Sequence, residues 1–257
     1  MKAKKSLGQN FLIDEKIITN ISNCIDASAN DLIIEIGPGM GALTKKIQEK
    51  EVPIICYEID TDLKPYLNSI VNSKTKIIYK DILKSNIKQD IADIKYQNLY
   101  IVGNLPYYIT TPIIKYLINQ ELDIKEMLFM VQDEVAERFS AKPNSKEYSS
   151  ITLYLQYYYH INKLFKVSKY SFKPVPKVES AIIKFNKRQT LPNVNKVQYF
   201  NLINAAFKMK RKTLKNNLKD YDFAKVLRVL EKHNLNEFVR AEEISEEIFI
   251  EIANNLL

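Results

Sequence analysis

The segment IIEIGPGMGALTKKI, residues 33–47, sets the architecture of this chain. A continuous apolar run is followed by three glycines within five positions, then by an amphipathic stretch of helical period. That order reads as a buried strand, a tight turn and a helix. Only Gly8, Gly37, Gly39, Gly41 and Gly103 occur in 257 residues, where average usage would supply about 18. Glycines kept in so glycine-poor a chain mark backbone that tolerates no side chain. In open α/β sheets, the carboxyl end of a strand beside such a turn is where a ligand sits.

Working outward, further apolar runs at 31–36, 54–58, 76–79, 98–103 and 127–132 alternate with helix-length amphipathic segments at 41–50, 61–72, 112–119 and 133–140. Strands alternating with helices predict a parallel sheet covered on both faces. A helix near 149–158 and two extended segments, 160–168 and 179–186, complete seven strands. After NKRQTLPNVNK (186–196) the strand signal stops, and short helices are expected at 196–207, 222–233 and 245–256. The expected fold class is therefore α/β, a Rossmann-like seven-stranded and mostly parallel sheet in residues 1–187. A small all-helical domain follows in 188–257.

Hydrophobic residues make up 46% of the chain and charged residues 26%, which excludes wholesale disorder. Cys24 and Cys56 lie far apart without metal-ligand spacing, so neither a disulfide framework nor a metal site is expected, and both read as buried small hydrophobes. No apolar stretch has the ~18–20 residues of a membrane span, and no apolar signal core follows the basic MKAKKSLGQNFL. The expected location is cytoplasmic. A net charge of +8 favours a polyanionic partner without identifying one.

Gly37-x-Gly39-x-x-Ala42 nominally fits a dinucleotide fingerprint, and Glu58 lies 21 residues beyond Gly37, where a ribose-binding acid belongs. Both NAD enzymes and S-adenosylmethionine (AdoMet) enzymes hold a ribose this way. Asp81, in YKDIL at the end of the third strand, adds a second acid at the same sheet edge. With Glu35 these would form an acidic rim in a basic protein, which suits a cationic sulfonium better than a pyrophosphate. The fourth strand ends in IVGNLPYYITTP (101–112), where an amide, a proline and an aromatic ring replace an ordinary polar loop.

Asn104-Leu105-Pro106-Tyr107, following EIGPGMG, resembles the motif of enzymes that methylate the N6 amine of adenine. SLGQNFLID (6–14), GNLPYYITTP (103–112), VQDEVAERF (131–139), FKPVPKVESAI (172–182) and AAFKMKRKTLKNNL (205–218) resemble, in order, the KsgA family of small-subunit rRNA adenine dimethyltransferases. The resemblance covers essentially the full length. It departs at Val175, where the family often has a further proline, and in FKMKRKTL, where lysines stand for arginines.

The resemblance implies AdoMet as methyl donor, held by Asn10, Leu12, Gly37, Gly39, Glu58, Asp81 and Asn104, with no metal. It implies dimethylation of two adjacent adenines near the 3′ end of 16S rRNA, in the small ribosomal subunit or its precursor, by a monomer. The Asn104 amide oxygen and the Leu105 carbonyl would accept the two amine hydrogens, Pro106 would fix that carbonyl, and Tyr107 and Phe172 would wall the extruded base. Neither His160 nor His233 falls in a motif. Lys208, Lys210, Arg211, Lys212 and Lys215 form a basic run without an acid, read as a helix that contacts phosphates. A second basic run without acids, 162–178, is interleaved with aromatics. Two other readings are a large-subunit methylase of the erythromycin-resistance type and a non-catalytic ribosome-assembly factor. An NAD-dependent oxidoreductase would leave NLPY unexplained.

Overall fold

The computed structural model describes residues 3–256. The chain begins with β1 (Phe11–Leu12), α1 (Glu15–Asn23), β2 (Leu32–Ile36), α2 (Ala42–Gln48), β3 (Ile54–Glu58), α3 (Lys64–Ile70) and β4 (Thr75–Tyr79). It continues with α4 (Ile87–Asp90), β5 (Leu99–Asn104), α5 (Thr110–Asn119), β6 (Ile124–Gln132), α6 (Asp133–Phe139) and α7 (Ser150–Gln156). Then come β7 (Tyr159–Val167), β8 (Phe172–Lys173), β9 (Ser180–Lys187), α8 (Lys196–Ala206), α9 (Leu214–Asn217), α10 (Phe223–Lys232) and α11 (Glu246–Asn255).

Seven strands form one sheet in the order β4-β3-β2-β5-β6-β9-β7. The first five pair in parallel, and β9 joins β6 antiparallel. Every residue of β2 and β3 is buried, as strands covered on both faces require. The strand order reverses direction between β2 and β5, which opens a crevice at their carboxyl ends. All seven expected strands are present. The sequence reading does not single out α1, which Asp14 caps by accepting from Lys16 N and Ile17 N. Nor does it foresee the two-stranded ribbon in which Leu12 of β1 faces Phe172 of β8.

The chain divides into two compact units, one ending its first segment at Ala136 and resuming over Asn162–Lys187, the other taking Glu137–Ile161 and everything from Arg188 onward. The expected single boundary near 187 therefore misplaces residues 137–161. Tyr148, Leu153 and Tyr157 are apolar anchors that share one core with Tyr199, Leu202, Leu230 and Phe249. Packing in that core, invisible to local periodicity, assigns the segment to the helical unit. Cys56 is buried as expected and Cys24 only half-buried, and both are free thiols.

Gly103 lies where β5 passes beside β2, and a Cβ added there would stand 2.5 Å from the Ile36 carbonyl oxygen. The obstacle is backbone, so it cannot rotate away. Gly103→Ala is expected to part β2 from β5 and to cost about 1–3 kcal/mol, the scale of overpacking. Urea unfolding monitored by far-UV circular dichroism measures it, and an unchanged midpoint would refute the steric reading.

Candidate active site

A cleft opens at the carboxyl ends of β2, β3, β4 and β5. Asn10, Leu12, Gly37, Gly39, Glu58, Asp81, Asn104, Leu105, Pro106 and Tyr107 all line it. The fold thus brings together every expected cofactor residue and four of the five expected catalytic ones.

Glu58 ends β3 and is 4% exposed. Its Oε2 accepts the Gly39 N–H at 3.0 Å and its Oε1 the Asp60 N–H at 2.8 Å, so both oxygens are fixed while each keeps accepting capacity. Burial pushes its carboxyl above the ordinary range, against the pull of those amides. Asp81 follows β4 and caps the next turn through Leu83 N at 3.0 Å.

Glu35 also lines the cleft, beside Glu58 and Asp81, as the expected acidic rim requires. It is 2% exposed one residue before the end of β2, accepts the Thr44 hydroxyl at 2.7 Å, and has the Cys56 thiol at 3.7 Å. Burial pushes its carboxyl up to about 7.

The NLPY segment is held from several sides. The Leu105 N–H donates to the Met130 carbonyl at 3.1 Å and its side chain is buried. The Pro106 carbonyl accepts from Ile109 N and from the Thr110 hydroxyl, which starts the turn into α5. The Tyr107 hydroxyl bonds Ser180 Oγ at 2.7 Å. Asn104 Nδ2 donates to the Asn10 carbonyl at 3.0 Å. That bond fixes which way the amide is turned, and neither Oδ1 nor the carbonyl of the next residue, Leu105, accepts a hydrogen bond among the described residues.

Phe172 is not brought to the cleft. It is 1% exposed and packs in a core with Leu12, Ile18, Val167 and Ile182. Pairing of β8 with β1 points its ring inward, so in this structure it braces the strap instead of walling a base.

Sequence reasoning missed the N-terminal latch. Asp60, 4% exposed, accepts Gln9 Nε2 at 2.7 Å and pairs with Lys4 at 2.5 Å; Lys4 also reaches Asp62 at 2.6 Å. Burial raises the Asp60 carboxyl, but Lys4 and Gln9 outweigh it and the net shift is downward. Only the GQNFL string hinted that this segment closes on the cleft.

Lys208, Lys210, Arg211, Lys212 and Lys215 are all exposed, but the first four lie in the loop between α8 and α9, not in the expected helix. Helix α8 ends at Ala206 and Thr213 caps α9 through Asn216 N. Asn217 clamps the loop, accepting from Met209 N at 2.9 Å and donating to its carbonyl at 3.2 Å. Lys210 Nζ reaches the Lys146 carbonyl at 2.7 Å, and Lys215 pairs with Glu237.

Comparison with known proteins agrees with this geometry. The family described as Ribosomal RNA adenine dimethylase matches residues 1–257. A Ribosomal RNA small subunit methyltransferase A from Mycoplasmopsis pulmonis is 42% identical, over 97% of each chain. A protein of the same name from Clostridium botulinum strain Okra is 42% identical over 87% of this chain and 82% of its own. The crystal structure of a dimethyladenosine transferase from Plasmodium falciparum superposes with a TM-score of 0.79 at 25% identity, covering 94% of this chain and 95% of that one. An NLPY segment, a buried ribose-type acid and a full-length family match together place the chain in the ribosomal RNA adenine dimethylase family, enzymes that take their methyl groups from S-adenosylmethionine.

Proposed function

We propose that the chain dimethylates N6 of two adjacent adenines near the 3′ end of 16S rRNA, in the small subunit or its precursor, as a cytoplasmic monomer. The supporting observation is the anchored Asn104 amide in the cleft lining, whose Oδ1, like the carbonyl of the next residue Leu105, accepts no hydrogen bond among the described residues. The full-length relatives carry the small-subunit name.

AdoMet, when bound, supplies an electrophilic methyl group that needs no further activation. Glu58 would take the ribose hydroxyls and Asp81 the adenine amine, with Gly37, Gly39, Asn10 and Leu12 forming the walls. The acids suit a cationic cofactor and would repel a pyrophosphate. An adenine N6 lone pair is delocalised into its ring and attacks poorly. Asn104 Oδ1 and the Leu105 carbonyl accept the two amine hydrogens, which favours a pyramidal nitrogen and aims its lone pair. Tyr107, held by Ser180, offers a fixed face to the extruded base. Rate enhancement comes mainly from such positioning.

Asn104→Ala is expected to lower single-turnover methyl transfer to undermethylated small subunits on the order of 100-fold or more. Tyr107→Phe keeps the ring and should be mild. Wild-type transfer by Asn104→Ala, or methylation of large subunits in preference to small, would overturn the reading.

Glu58→Ala should weaken AdoMet binding about 10- to 100-fold, the scale of a charge-assisted hydrogen bond worth ~1.5–3 kcal/mol. Calorimetric titration tests this, and an unaltered affinity would remove Glu58 from the cofactor site.

Reversing the charges of Lys210, Arg211 and Lys212 should lower affinity for the particle and flatten the dependence of log K on log salt, with AdoMet affinity preserved. An unchanged slope would make that loop a solvated surface.

A further inference from the structure

Tyr170 is an aromatic residue that the reaction leaves without a task. It is 73% exposed, on the short turn Lys169–Ser171 between β7 and β8. A single exposed aromatic is ordinary on a protein surface. The support beneath this one is not. Ser168 caps the turn by accepting Tyr170 N. Ser171 ties it to the N-terminal strap twice: its carbonyl accepts Ile13 N at 2.9 Å, and its hydroxyl donates to Asp14 at 2.9 Å. On the other side Lys169 N donates to Glu179 at 2.9 Å, one residue before the Ser180 that holds Tyr107. Both neighbours of Tyr170 are thus fastened, one to the residues that follow Leu12 of the cleft lining and one to the residue before Ser180, while its own ring stands in solvent.

The segment that carries Tyr170 is basic, although Asp14, Asp133 and Glu179 lie against it. Residues 162–178 contain five lysines and no acid. Lys166 is engaged with Asp133 at 2.9 Å, and Lys163 pairs with the same carboxylate. Lys173 and Lys177 are exposed with no ion-pair partner among the described residues. Lys169 Nζ stands 5.3 Å from the centre of the Tyr170 ring. A rigid exposed ring with an ammonium at one face, among unpaired lysines, is the arrangement that binds unpaired nucleotides: the ring stacks a base and the cations meet its phosphates.

From this juxtaposition we infer that Tyr170 is a stacking platform for an unpaired RNA base flanking the target adenine, with Lys169, Lys173 and Lys177 contacting the adjoining phosphates. The inference rests on the proposed RNA substrate and deepens it. Tyr170 is a positioning residue: it acts on the strand that carries the target and touches neither reacting atom.

The chain contains no tryptophan, so Tyr170→Trp places a single indole at the proposed contact. Its fluorescence should be quenched by a single-stranded adenosine-containing oligoribonucleotide, and less by the same strand with abasic flanking positions. Tyr170→Ala should raise KM for undermethylated small subunits about 5- to 100-fold, the range of one base–aromatic stack. AdoMet affinity, thermal midpoint and kcat at saturation should stay, and Tyr170→Phe should restore KM. Wild-type methylation of the same particle is the control that judges the proposed function separately. With that control active, an unchanged KM in Tyr170→Ala overturns the platform. So does a raised KM without quenching by the oligoribonucleotide, which would assign the contact to a ribosomal protein.

Discussion

The hydrogen bond from Asn104 Nδ2 to the Asn10 carbonyl joins the last residue of β5 to the segment that runs along the cleft. It orients the amide, because turning Nδ2 to the Asn10 carbonyl directs Oδ1, the side chain's one acceptor, away from it. One such bond contributes about 1 kcal/mol net, too little to hold an N-terminal segment against its conformational entropy. The strap stays because other contacts fix Asn10 beforehand. Lys4 and Gln9 converge on Asp60, Leu12 packs beside Phe172, and Ile13 and Asp14 bond Ser171. The orientation of one amide therefore depends on ties spread from residue 4 to residue 173.

The same ties explain why a chain with net charge +8 buries acids. Glu58 and Asp60 are each 4% exposed and lie two residues apart. A buried carboxylate is costly unless hydrogen-bonded or paired. Glu58 is stabilised by two backbone amides and Asp60 by Lys4, Gln9 and the Asp62 amide. These partners separate the two acids in character: Asp60 shifts toward the charged form, while burial dominates at Glu58 and shifts it the other way. The latch neutralises one acid and leaves the other to face the cleft.

Strands buried on both faces, such as β2, β3 and β5, announce themselves as continuous apolar runs, and the edge strand β7 by alternation, so all seven are legible, and so are the glycines that turns and close strand contacts require. What escaped was set by tertiary context. Whether Phe172 faces cleft or core depends on its pairing with Leu12 across 160 residues of chain, which no local pattern encodes. Residues 137–161 look like one more strand–helix repeat until Tyr148 and Tyr157 are seen in the core around Tyr199. The basic run reads as helix because lysine and arginine are good helix formers; Thr213 and Asn217 instead bind the backbone in a loop. Lys4, Gln9 and Asp60 are ordinary polar residues in sequence and become a unit only when β3 carries Asp60 to the strap.

Shifted ionisation often marks the acid or base of an active site, yet the two raised carboxyls in the cleft lining, Glu35 and Glu58, are bonded to the glycine turn and the helix that follows it. Glu35 is locked to Thr44 in α2, and Glu58 spends an oxygen on Gly39 within the turn. The groups that would face the substrate amine in the proposed reaction are neutral acceptors, an amide oxygen and a backbone carbonyl, that do not titrate. A carboxylate in their place would accept from the same amine but would itself take up a proton as pH fell and so turn one acceptor into a donor. Neutral acceptors suit a reaction whose electrophile arrives already charged, because they orient the lone pair without neutralising the sulfonium. The chemistry asks for direction more than for proton affinity, and the residues at the end of β5 supply direction.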